Sequence, residues 1–181
     1  MCVNDDAVYE KLAKLRLHGI DKDAASRYTG SYRHWDMQLL GWKYNISDIQ
    51  SALLVGQLAK IEQFLEKREA LAAFYKNALD ALGVPYMKGA DGAKSARHLF
   101  VAQVENRDDV LAKMQENGIG VAVNYRPIHL NSYYREAFGF AGGEFPVAER
   151  IGERCISLPL YPLLSMDEAG RVVDALARAI K

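Results

Sequence analysis

The sequence predicts an α/β fold in which helices flank a small sheet, and three observations predict it. An apolar series at near-helical spacing runs from Ile49 to Leu82 behind a capping box at Ser47 and Gln50. His98–Val104 alternates like a strand, a helical stretch follows, and Ile119–Tyr125 reads as a second strand. A second capping box, Ser165 with Glu168, opens a last helix.

Composition bounds the class. The chain has 181 residues, half of them apolar, and 23 Lys and Arg balance 23 Asp and Glu, so it can bury a core and has no net charge to steer it to nucleic acid or an anionic membrane. No apolar run approaches the roughly 20 residues that cross a bilayer. The two cysteines, Cys2 and Cys155, are too far apart for a metal-ligand spacing, and no signal segment precedes them, so the expected setting is reducing and cytoplasmic.

The elements follow in order. Val8, Leu12 and Leu15 lie at helical spacing within Asp5–Leu17, and His18-Gly19 stops that short surface helix. Ile20–Leu40 has no period and carries Tyr28, Tyr32, His34 and Trp35, as a long functional loop would. From Ser47 the apolar series fits one bent helix or two consecutive helices, with the bend expected at Gly56, where something should approach the backbone. Gly83 and Pro85 end it.

After a glycine-containing connector over 84–96, His98 opens a strand as a half-buried residue. Asn106 caps a helix that Gly118 ends, and the second strand leads to Asn124-Tyr125-Arg126-Pro127-Ile128-His129. A short aromatic helix around Tyr133–Phe138, a helix over Pro146–Glu153, an apolar strand at Cys155–Leu158 and the Ser165-capped helix complete the chain.

Two stretches carry candidate chemistry. Lys43, Tyr44 and Asn45 stand just before a helix N-terminus, where free N–H groups and the dipole favour an anion. Residues alone leave a phosphate site and a merely solvated helix start both open. Arg126 and His129 flank Pro127, which stiffens the turn and suits it to a ligand, or equally to a surface turn whose histidine bonds backbone. The four histidines have no carboxylate cluster in the sequence, so no metal is expected. No P-loop, Gly-x-Ser-x-Gly or dinucleotide fingerprint is present, which sets aside hydrolase, nucleoside-triphosphatase and dehydrogenase chemistry.

Gly41-Trp42-Lys43-Tyr44-Asn45-Ile46-Ser47-Asp48-Ile49-Gln50, then Asn124–His129 with Tyr133-Tyr134-Arg135-Glu136, then Ile156-Ser157-Leu158-Pro159-Leu160-Tyr161-Pro162 stand in this order. Together they resemble the C-terminal half of the PLP-dependent, DegT-like sugar-nucleotide aminotransferases of fold type I. The resemblance implies a small, mainly antiparallel sheet flanked by helices and joined by a long connecting helix. Residues 1–46 would be the remnant of a large PLP domain with an active-site loop, 47–83 the connecting helix or helix pair, and 84–181 the C-terminal small α/β domain.

It implies that Lys43, Tyr44 and Asn45 meet the cofactor phosphate of a partner subunit in a dimer, and that Tyr125, Arg126 and His129 face a nucleotide-sugar. The lysine that holds PLP would lie upstream of Met1, so no residue here is assigned a catalytic role. PLP is expected in the complete enzyme and not on this chain alone, which should self-associate or join a complementing large domain. Such enzymes transfer an amino group, usually from glutamate, to a keto-sugar in polysaccharide or glycoconjugate precursor synthesis. A sugar dehydratase of the same family and a non-catalytic, ferredoxin-like ligand-binding module are the alternatives.

Overall fold

The carboxylate of Asp5 accepts the Val8 N–H at 2.9 Å and so starts helix α1, Asp6–Leu15, which buries no side chain. The computed structural model describes residues 2–21 and 34–181, and the chain divides into two compact units, Met1–Ala59 and Lys60–Lys181.

In the first unit the backbone turns left-handed at His18 and Gly19, with φ of 57° and 73°, which folds the end of α1 against a later loop. His18 N donates to Trp42 O, Trp42 N to Leu15 O and Tyr44 N to Arg16 O, each at 2.8 Å. Two glycines permit this approach. A Cβ on Gly19 would stand 1.8 Å from Leu39 O, and one on Gly41 would stand 2.2 Å from Gly19 N. Leu17 pairs with Lys43 and Ile20 with Met37 as isolated antiparallel bridges, so the expected long loop is tied at both described ends. Tyr28 and Tyr32 lie outside the described residues, whereas His34 and Trp35 stack at 5.7 Å.

Helix α2, Asp48–Leu58, begins at Ser47 with both halves of the expected capping box formed. The apolar series is two helices, and the break falls at Ala59-Lys60 rather than at Gly56. Gly56 stays helical, and among the described residues nothing lies within 4 Å of where its Cβ would be. Glycine lowers helix propensity but does not by itself bend a helix that keeps its hydrogen bonds.

The second unit is built around helix α3, Ile61–Leu82, which buries Leu71, Ala72, Tyr75 and Leu79 on one stripe and ends at left-handed Gly83. That stripe packs on helix α7, Met166–Ala179, which buries Ala169, Val172, Ala175, Leu176 and Ala179 at i, i+3 and i+4 spacing behind the Ser165 capping box. Strands β1, Phe100–Gln103, and β2, Cys155–Leu158, pair antiparallel with Phe100 opposite Leu158 and Gln103 opposite Cys155. All four residues of β2 are buried. Tyr75 is fully buried, and its hydroxyl donates to Pro159 O at 2.9 Å, tying α3 to the chain leaving β2; burial pushes its phenol pKa well up.

Three expectations are corrected here. Ile119–Tyr125 is not a ladder strand: it meets β2 at one bridge, Ser157 N donating to Ala122 O at 2.8 Å. Gly118 before it, Gly120 within it and Pro127 after it leave too short a stretch for a longer ladder. Asn106 sits at the N-cap of α4, Arg107–Glu116, but makes no side-chain cap; its backbone is left-handed, φ 48° and ψ 44°, in a sharp turn that asparagine tolerates. His98 is exposed, since β1 begins two residues later.

Helix α5, Ser132–Phe138, and helix α6, Pro146–Arg154, with proline in its first turn, occupy the expected places. Arg107 Nη1 donates to Gly152 O and Cys155 O, each at 3.1 Å, which fastens the end of α6 to the start of α4. Among the described residues no helix is long and apolar enough to cross a membrane.

Candidate functional site

The candidate residues form two groups, one in each unit. In the first, Lys43, Tyr44 and Asn45 follow Gly41 on the loop that α1 holds through the three hydrogen bonds above. Trp42 and Tyr44 stack at 5.8 Å with planes 4° apart, both exposed, and Lys43 between them is exposed as well. Asn45 is half-buried, and its Oδ1 is shielded from water with no hydrogen-bond partner. An orphaned acceptor of this kind is costly unless a donor completes it, which a phosphate oxygen cannot do, so only the Asn45 NH2 group is available to an anion.

The capping box constrains what the start of α2 offers. Ser47 Oγ takes the Gln50 N–H and Gln50 Oε1 takes the Ser47 N–H, while Asp48 puts a carboxylate in the first turn. That carboxylate already uses the dipole that an anion would need. A phosphate at this loop would therefore have to be met by side-chain donors. Lys43, Asn45 and the Tyr44 hydroxyl are an ammonium, an amide and a phenol, a donor set that fits a phosphate.

In the second unit, Tyr125 and Arg126 are exposed, whereas His129 is buried at 7% exposure. Pro127 separates the outward pair from the inward histidine, and Ile128–Leu130 form a single 3-10 turn. His129 Nε2 lies 2.8 Å from Glu149 Oε1, with Phe145 and Phe140 against its ring at centroid distances of 4.7 and 5.9 Å. Glu149 also accepts the Gly143 N–H at 2.8 and 2.9 Å and the Phe145 N–H at 3.1 Å. The His129 bond first, then the Phe145 N–H, holds its carboxyl below the usual carboxylate range. An ionised Glu149 only accepts, so His129 Nε2 carries the proton between them.

Glu144 joins this cluster. Its two oxygens accept the Ala141 and Gly142 N–H groups, each at 2.8 Å, and these lower its pKa as well. Atoms of His129, Glu144 and Glu149 lie within 4.8 Å of one another, so the fold supplies the carboxylate neighbours that the sequence did not show for any histidine. The carboxylate oxygens already face backbone N–H groups, which a cation would have to displace, and the arrangement reads as a hydrogen-bonded brace for the 141–145 loop.

Sequence reasoning missed Glu149 and Gly152. A Cβ on Gly152 would stand 2.3 Å from Pro127 Cδ and 2.6 Å from its Cγ, so α6 receives the proline ring on bare backbone. A glycine inside a predicted helix was the available signal for Gly152. Nothing local pairs Glu149 with a histidine 20 residues earlier. A cavity of about 460 Å³ between the end of α3, the start of α4 and the end of α7 contains none of the candidate residues.

Comparison with known proteins places this geometry. The model of the DegT/DnrJ/EryC1/StrS aminotransferase family matches residues 1–177. Among curated proteins, the chain is 35% identical to the uncharacterized protein MJ1066 of Methanocaldococcus jannaschii, over 98% of this chain and 48% of that protein. It is 32% identical to the spore coat polysaccharide biosynthesis protein SpsC of Bacillus subtilis, over 100% of this chain and 49% of that protein. Among solved structures, Spr1654 of Streptococcus pneumoniae in its PMP form is similar with a TM-score of 0.87 and 25% identity, over 98% of this chain and 46% of that one. The chain thus spans about half the length of the curated relatives it matches.

Proposed function

We propose a function from one premise: this chain belongs to the DegT/DnrJ/EryC1/StrS aminotransferase family, whose aminotransferases use PLP. On this reading it is the C-terminal portion of an enzyme that moves an amino group, with glutamate as donor, to a keto carbon of a nucleotide-linked sugar. The product feeds polysaccharide or glycoconjugate precursor synthesis in the cytoplasm. The observation that carries the reading is a family match over nearly the whole chain that reaches only about half the length of the curated relatives.

Residues 1–46 are then the remnant of the large PLP domain with its active-site loop, 47–83 the connecting helices, and 84–181 the small C-terminal domain. PLP, when bound, supplies an electron sink for the amino transfer. Lys43 places a point charge toward its phosphate, and Asn45 and Tyr44 donate hydrogen bonds to it. Tyr125 and Arg126 reach the nucleotide-sugar from the exposed turn. Arg126 suits a diphosphate oxygen or a sugar hydroxyl, and His129 supports the turn from behind. The lysine that holds PLP is not one of this chain's lysines, so the chain alone neither binds PLP nor transaminates.

The surface of α2 supports a covering partner, either in a homo-oligomer such as a dimer or from a complementing large domain. Ile49, Leu53, Val55 and Leu58 are all at least 65% exposed, and α2 buries no residue. A helix apolar on more than one side belongs in an interior.

The test is to incubate the purified chain with PLP, reduce with borohydride and map any added mass to peptides. The expected result is no stoichiometric label on any lysine. One full equivalent on a single lysine, Lys43 above all, would show that the chain carries its own cofactor-holding lysine and would overturn the reading.

A further inference from the structure

Glu149 and Gly152 have no part in the chemistry above, yet both fasten the turn that bears Tyr125 and Arg126. Resting on the reading that this turn meets the nucleotide-sugar, we propose that Glu149 and Gly152 are positioning residues: they lock the Tyr125–His129 turn onto α6 so that Tyr125 and Arg126 are presented in one fixed place.

The two lie three residues apart on α6, on neighbouring turns of one helix face. Each takes a different point of the same turn. Gly152 is buried, and the Pro127 ring lies so close that a Cβ would stand 2.3 Å from Cδ. Glycine is less favourable than alanine within a helix. The close seating of Pro127 is what offsets that cost here.

One helical turn earlier, Glu149 takes His129 at 2.8 Å, two residues beyond Pro127. The same carboxylate accepts the Gly143 and Phe145 N–H groups, and so is itself held from the other side. Arg107, through Gly152 O and Cys155 O, fixes the end of the helix that carries both anchors. Pro127 and His129 are thus both fastened.

Among the described residues no hydrogen bond holds the side chain of Tyr125 or Arg126; the Tyr125 carbonyl meets only the Cys155 thiol, at 3.9 Å. Both side chains project into solvent, Tyr125 at 68% exposure, so the backbone of the turn sets where they stand. A pair of ligand-binding side chains on an exposed turn is only as well placed as the shell behind it, and small misplacements are expensive in binding and catalysis.

The experiment uses the full chain, labelled with nitrogen-15 and titrated with UDP, as parent, Glu149→Gln and Gly152→Ala. Both variants are expected to displace the amide signals of Tyr125, Arg126, Ile128 and His129, to leave those of β1 and α7 in place, and to weaken UDP about ten-fold or more. In Glu149→Gln, amide exchange at Gly143 and Phe145 also quickens. If Gly152→Ala fails to fold, adding Pro127→Ala removes the ring atoms that the new Cβ meets; the double variant is expected to fold with the turn still displaced and UDP still weak.

Parent-like turn signals in the folded variants overturn the proposal. Displaced signals with unchanged UDP affinity also overturn it, because they reduce both residues to structural supports. If the parent itself binds no UDP, the substrate reading of Tyr125 and Arg126 fails, whereas displaced turn signals in the variants still support the anchoring.

Discussion

Replacing Gly41 by alanine should release the aromatic loop from α1 without unfolding the second unit. The new Cβ would stand 2.2 Å from Gly19 N, 2.6 Å from His18 C and 2.8 Å from Leu15 O. All three are backbone atoms of a tight turn, so no side chain can swing away, and the loop itself must retreat by about 1 Å to reach ordinary contact distance. Gly41 has no left-handed backbone, so the cost is one of space rather than of φ.

A retreat of that size breaks the three 2.8 Å bonds joining Leu15, Arg16 and His18 to Trp42 and Tyr44. At about 1 kcal/mol each, they amount to about 3 kcal/mol of local stability, or roughly a hundred-fold faster amide exchange. Hydrogen exchange read at the Trp42 and Tyr44 amides measures this directly. Gly56→Ala is the matched control: nothing lies within 4 Å of that Cβ, so it should stabilise α2 by about 0.5–1 kcal/mol. Parent-like protection of Trp42 and Tyr44 in Gly41→Ala would refute the argument that backbone contact at Gly19 and Gly41 sets this loop.

Two further outcomes follow from the second unit. Tyr75→Phe leaves Pro159 O without its donor, and should cost about 1–2 kcal/mol in urea unfolding; an unchanged midpoint would mean that the bond contributes nothing. In acid, Glu149 (held down by His129 first), Glu144 (by the Ala141 N–H first) and Glu168 (by the Ser165 N–H first) have folded pKa values below the ordinary 4.5. The unfolded chain therefore binds more protons, and the stability these groups contribute is fully present above about pH 4.5 and lost as pH falls through their folded values. The urea midpoint should stay level from neutral pH to about 5 and then drop, with a smaller drop in Glu149→Gln; a midpoint that rises on acidification would reverse the sign.

Much of the fold was legible because its rules are local. Capping boxes at Ser47 and Ser165 are set by residues three apart, and both formed as read. The stripe Leu71, Ala72, Tyr75 and Leu79 shows the helical period that the apolar series predicted. Periodicity misled at Ile119–Tyr125, where alternation was real but a ladder needs a partner edge of matching length. It met the four-residue β2 at one bridge. The left-handed turn at Asn106 was likewise invisible, because an asparagine before a helix reads the same whether it caps with its side chain or with its backbone.

The candidate site shows where such reading stops. Lys43, Tyr44, Asn45, Tyr125, Arg126 and His129 could be named from short motifs, since each motif is contiguous. What holds them in place is not contiguous. Gly56 and Gly152 each lie inside a predicted helix and Gly41 in a loop, and nothing in the sequence marks what any of the three touches. In the fold, Gly56 has open space, Gly41 touches the backbone of Gly19, and Gly152 carries the ring of Pro127. A glycine's cost is local and can be read from its position in a helix, but what offsets that cost is a contact made by another part of the chain. A half-buried carboxylate such as Glu149 follows the same logic. Its neighbours His129, Gly143 and Phe145 are brought together by the fold. The supporting shell is therefore the part of a site that structure adds to sequence, and it is where substitutions of Glu149 and Gly152 should act without touching a ligand.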